Sequence, residues 1–153
     1  MTRFKKILVA TPMFVEAHER FDRASPDIDY VTSLMLAGAV CGIVSPLLTE
    51  QGKGTFRALL ASLYETPPPE GIFRLVYDGF KHAGFKERNV APSADLVVDA
   101  DVRKEAAWML EAAREDFSKI IIERGVLDQL SDEFLKLIRE PVDYIEDQTT
   151  VRS

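Results

Sequence analysis

Apolar and polar positions along this chain recur mostly at helical spacing. Between Asp27 and Glu50, residues 30–49 carry no formal charge. Ser25, Pro26, Asp27 and Asp29 ahead of them form a helix-start signature: a capping side chain, a proline in the first turn, and acids facing the positive helix end. This predicts a helix over about 27–50, apolar on most sides, with Gly52 to Gly54 ending it. Thr55 then caps a short helix whose stripe is Phe56, Leu59, Leu60 and Leu63. Pro67, Pro68 and Pro69 interrupt the chain, and Ile72 to His82 reads as a further helix with Phe73, Val76, Tyr77 and Phe80 on one side, stopped at Gly84. A polar loop follows over 84–94.

From Asp101 to about Glu123 the pattern is amphipathic, with Val102, Ala106, Met109, Leu110, Ala113 and Phe117 on one face. Ser131, Asp132 and Glu133 open a last helix that runs through Arg139 and closes at Pro141. The opening segment, 2–23, is ambiguous. Ile7 to Ala10 reads as a buried strand, while Phe4, Leu8, Val15, His18 and Phe21 fall near helical spacing, and helix is the preferred reading. Pro12 either kinks that helix or starts a second one with Thr11 as its N-cap. The fold class expected is all-α, an antiparallel bundle of five or six helices. A single domain spans 1–146, the central helix packs against 101–123, and a polar tail occupies 147–153.

The uncharged stretch also tests a membrane reading. It is nearly long enough to span a bilayer, and Gly38 and Gly42 form a Gly-x-x-x-Gly pair. Acidic residues bracket it and no basic cluster flanks it, so the expectation is a buried central helix and no membrane. The apolar stretch after Lys6 is too short for a secretory signal. Net charge is −6 over 153 residues, which weakens the case for a general nucleic-acid binder. Cys41 is the single cysteine, so no intrachain disulfide exists and a cytoplasmic setting is expected. No metal site and no cofactor are expected from one cysteine and two histidines at unrelated spacing.

Three segments in order carry a family likeness: Ser33-Leu34-Met35-Leu36-Ala37-Gly38-Ala39, Asp78-Gly79-Phe80-Lys81-His82-Ala83, and Asp101 to Leu110 followed by Ala112, Ala113, Asp116 and Phe117. Together they resemble small helical proteins of the HEPN-like group, over roughly residues 4–120. The resemblance implies an antiparallel helical bundle, often dimeric. Some such proteins are metal-independent ribonucleases in toxin–antitoxin or phage-defence systems. Others are non-catalytic and bind nucleic acid, nucleotides or proteins. The ribonuclease motif sets an Arg, followed by a polar residue, four to six residues ahead of a His. Here His82 matches the His, but Arg74 lies eight positions before it, with seven residues between them, and is followed by Leu75, a departure from the pattern. Asp78 and Lys81 match a looser version.

Metal-free RNA cleavage needs a base for the 2′-hydroxyl and a cation for the transition state. On one helix Arg74 and His82 would lie about 12 Å apart along the axis, so they would serve one phosphate only across a dimer. Lys81, Lys86 and Arg88 form a candidate phosphate-binding patch with RNA as partner. Gly38, Gly42 and Trp108 are candidate interface residues for a homodimer or protein partner. A second enzymatic reading takes Asp99 and Asp101 as the metal-binding pair of an α/β sugar transferase, with 6–12 and 120–122 as strands. Gly52-Lys53-Gly54-Thr55 lacks the spacing of a phosphate-binding loop. The favoured expectation is a non-catalytic helical interaction module, dimeric and, as the resemblance implies, linked to defence or toxin–antitoxin function.

Overall fold

The computed structural model describes residues 5–23, 27–64, 75–81 and 98–141. Seven helical segments lie within them: α1 (Lys6–Asp22), α2 (Asp27–Glu50), α3 (Phe56–Ser62), α4 (Leu75–Lys81), α5 (Val102–Lys119), α6 (Arg124–Leu127) and α7 (Asp132–Leu137). The described residues are thus all-α, with no strand among them. Four of the segments have seven residues or fewer, so the count differs from the five or six helices expected. The three-proline break, the loop over 84–94 and the 147–153 tail lie outside the described residues.

The ambiguity of the first segment resolves to one continuous helix with Pro12 inside it. Proline has no N–H for the carbonyl four residues back. Here the Thr11 hydroxyl points at that carbonyl, Leu8 O, at 3.4 Å, and Pro12 itself is exposed. Thr11 therefore helps carry the helix past the proline and does not cap a second one. The buried face is Ala10, Phe14, Ala17 and Phe21 with Thr11 and His18; Leu8 and Val15 sit at its edge.

The end of α2 is set by Gly52, whose φ of +73° is left-handed. Its N–H donates to Thr49 O at 2.9 Å and the Lys53 N–H reaches back to Leu48 O at 3.1 Å. This paired closure satisfies carbonyls that the helix leaves open. At the other long helix, Asp101 accepts from the Lys104 N–H at 3.1 Å and starts α5. The predicted extent to Glu123 is shortened to Lys119, and Ile120 is extended. The Gln51 side chain pairs both ways with the Ile121 backbone (2.8 and 2.9 Å), and Lys53 Nζ takes the Lys119 carbonyl. The chain after Lys119 finds partners outside a helix.

α2 lies between α1 and α5. Against α1 the later contacts on one helix meet earlier residues on the other: Ser33 donates to Ala17 O at 2.7 Å, whereas Arg20 and Phe21, further along α1, meet Asp29 and Tyr30, nearer the start of α2. α1 and α2 are antiparallel, as expected. Against α5 the pairs ascend together: Cys41 with Met109 O, Ser45 with Asp116, Gln51 with Ile121. These two helices run parallel, which corrects the purely antiparallel arrangement. The physical reason is that the chain between them, 51–101, is long enough to return to the starting end of α2 before α5 begins. At the base of the core Phe14, Phe117 and Phe134 meet edge to face, with centroids 4.9 to 5.8 Å apart. Ser131 caps α7 and so helps place Phe134, which is fully buried.

The two candidate glycines of α2 do different things. At Gly38 a Cβ would stand 2.3 Å from ring atoms of Tyr77 on α4. The missing side chain is what lets Tyr77 lie on the α2 backbone. Gly42 faces open space. Gly38→Ala is expected to lower stability by about 1–3 kcal/mol through overpacking. Gly42→Ala is expected to raise the stability of the isolated chain by about 0.5–1 kcal/mol through reduced chain entropy. Urea unfolding of the two variants at low concentration measures both, and equal effects of the same sign would contradict the assignment.

Candidate interaction face

The short helix α3 is joined to the long helices by a buried carboxylate. Asp116 on α5 is only 1% exposed. Its Oδ2 accepts from the Ser45 hydroxyl on α2 at 2.6 Å, and its Oδ1 accepts from the Phe56 N–H of α3 at 2.7 Å. Thr55 adds the local cap, accepting from the Ala58 N–H at 3.2 Å. One acidic side chain thus ties three helices together and orients α3. A buried carboxylate needs such partners, because water is absent to solvate it.

So held, α3 presents an apolar stripe outward. Phe56 stacks on Trp108 of α5, with centroids 6.4 Å apart and planes 23° from parallel. Trp108 remains 37% exposed, Leu63 74%, and Leu59 and Tyr64 are exposed as well. Residues 56, 59 and 63 follow helical spacing, so the stripe continues from Trp108 over Phe56 toward Leu63. Arg103 and Lys104 are exposed on α5 near the tryptophan. Contiguous large apolar groups in water are unusual on a monomer and mark binding surfaces. Glu105 lies one turn before Trp108 and is partly buried. Burial pushes its carboxyl above the ordinary 4.5, with Lys104 opposing and Asp101 reinforcing the shift.

An ionic cluster lies further along α5. Arg114 grips Glu111 with two nitrogens, at 2.9 and 2.5 Å, contacts Glu115, and donates to Ile138 O at 3.2 Å beyond α7. The Glu111 hydrogen bond raises the guanidinium further above its ordinary range. Its work is to pin the turn after α7 onto α5.

Of the residues singled out in the sequence, Arg74, His82, Lys86 and Arg88 lie outside the described residues. Asp78 and Lys81 lie on α4, where the Lys81 ammonium stands 5.6 Å from the centroid of the Tyr77 ring. Gly38 and Trp108 both mediate contacts between helices, the first to Tyr77 and the second to Phe56. Asp101 is a helix cap and Asp99 is exposed, and no group of three or more potential metal ligands occurs among the described residues. The stretch 6–12, a strand in the sugar-transferase reading, is helix, and 120–122 pairs into no sheet. Nothing in the spacing of the sequence marks Ser45 or Arg57, and Asp116 stands there only as part of a motif. The available signal was a lone acid among Ala112, Ala113 and Phe117, on a face otherwise apolar.

Comparison with protein families, curated proteins and solved structures finds no match to this chain.

Removing the carboxylate with Asp116→Ala leaves the Ser45 hydroxyl and the Phe56 N–H buried without their acceptor, and is expected to cost about 3 kcal/mol. Thermal unfolding measures it; a loss near zero would mean that the tie is unimportant. For Glu105 the sign follows from linkage. A folded-state value above the ordinary 4.5 gives stability that is full below that value and is lost as the pH rises through the raised one. Glu105→Gln should therefore raise the melting temperature near neutral pH. The gain should close as the pH falls below the ordinary carboxylate value, and a constant gain at every pH would contradict burial as the cause.

Proposed function

We propose that this chain is a non-catalytic interaction module that pairs through the α3–α5 face, its partner being a second copy of itself. The observation that carries the reading is the exposed stripe from Trp108 across Phe56 to Leu59 and Leu63, held in place by a buried carboxylate. Aromatic residues in partly closed, well-supported positions are the usual energetic centre of protein interfaces. A self-complementary apolar stripe fits a two-fold dimer, since the same patch on each copy then covers the other.

In this reading the fold is a bundle in which α6 and α7 act as one broken helix, giving six units with α3 and α4 as flanking members. The resemblance to HEPN-like helical proteins is then to the non-catalytic kind. The cytoplasm suits the single buried thiol of Cys41.

Sedimentation velocity across a concentration series tests the proposal. The wild-type chain is expected to pass from monomer to dimer. Trp108→Ala, and separately Leu59→Glu with Leu63→Glu, should weaken the dimer at least about tenfold while leaving the helical circular dichroism intact. A wild-type chain that stays monomeric throughout overturns the reading, as does dimerisation indifferent to both changes.

A further inference from the structure

Arg57 sits on the face of α3 opposite the exposed stripe. It and Ala61 are the buried residues of that helix, and Arg57 is only 8% exposed. Its Nε and Nη1 are buried with no hydrogen-bond partner. The contrast with the other buried arginine is informative. Arg114 spends all three nitrogens on Glu111, Glu115 and a carbonyl. The carboxylate that helps hold α3, Asp116, is committed to Ser45 and to the Phe56 N–H.

A guanidinium does not lose its proton in a protein, so burial cannot neutralise it. An uncompensated buried charge is among the costliest arrangements a fold can keep. Water entering beside Arg57 would satisfy the N–H groups and leave the charge. An oxyanion supplies acceptors and charge together, in the geometry a guanidinium fork matches. The side chain is also poorly free to escape, because the Phe56–Trp108 stack and the Asp116 bond fix the start of α3 on α5. We propose that Arg57 anchors a site for a small oxyanion, a phosphate or carboxylate group, on the inner side of α3. This site is separate from the apolar stripe and does not depend on it.

Thermal unfolding in chloride at fixed ionic strength, then with inorganic phosphate, acetate or adenosine monophosphate, tests the site. The unpaired charge predicts that Arg57→Met melts higher than wild type in chloride alone. Phosphate or acetate should raise the wild-type melting temperature in a saturable way and leave Arg57→Met unmoved. Arg57→Lys keeps the charge but loses the planar fork, and should bind at least about tenfold more weakly. A greater response to the nucleotide than to inorganic phosphate identifies a phosphoester as the source; a response to acetate alone identifies a carboxylate. Three results overturn the proposal: no response of the wild type to any of the three, an equal response of Arg57→Met, or an Arg57→Met variant less stable than wild type in chloride. The last is the signature of a carboxylate of the chain itself already paired with Arg57.

Discussion

The constraint on which the rest depends is the packing of α2 against α1 and α5. Twenty-four residues run from Asp27 to Glu50, with no charge between Asp29 and Glu50. By length and composition this helix would also cross a bilayer. In this fold it is instead lined on two sides by α1 and α5, and its deepest residues, Leu34, Ala37, Val40, Val44 and Leu48, have no exposure. Burying such a rod supplies most of the stabilisation that an isolated helix of its composition lacks. Small side chains make it possible. Ala10 and Ala17 on α1, Ala37 and Gly38 on α2, and Ala106, Ala107 and Ala113 on α5 are all buried, so the helices approach closely.

Apolar contact alone leaves the register between such helices loosely defined, because one small residue substitutes for another. Three buried polar contacts remove that freedom. Ser33 binds the Ala17 carbonyl, the Cys41 thiol faces the Met109 carbonyl at 3.8 Å, and Ser45 binds Asp116. Sliding either neighbour by one turn would strand these groups without partners, at a cost of about 1–3 kcal/mol each. The same Asp116 extends the frame to α3 and thereby sets which side of that short helix meets solvent. The proposed binding face and the Arg57 environment are both consequences of that single carboxylate.

Much of the frame was legible as pattern. Asp101 at the start of α5, Thr55 before α3 and Ser131 before α7 all act as the caps their residue types suggest. The stripe of Ala106, Met109, Leu110, Ala113 and Phe117 is buried, and the pairing of the central helix with α5 was expected from their apolar faces. The helix of the first segment was legible, but whether Pro12 lies inside it or starts a second one was not, because the spacing allows both; the Thr11 hydroxyl beside the Leu8 carbonyl accompanies the continuous course. The place where α5 ends was not legible either, since Gln51 and Lys53, about 70 residues earlier in the chain, provide the competing partners. For the candidate site, Trp108 stood out by type and position, whereas its partner Phe56 was visible only as one member of a short stripe.

What the amino-acid order determined by itself was local: where helices begin and stop, which of their sides avoid water, and that the central one must be covered. Those outcomes depend on groups within a turn or two of one another, so propensity, capping and periodicity suffice. Tertiary structure alone decided that α2 and α5 run the same way, that Gly38 receives the ring of Tyr77 while Gly42 receives nothing, and that Asp116 is shared among three helices while Arg57 is buried without a partner. Each of these depends on which atoms distant segments bring within a few ångströms, and whether a buried polar group is paired or stranded is a property of that meeting and not of the residue.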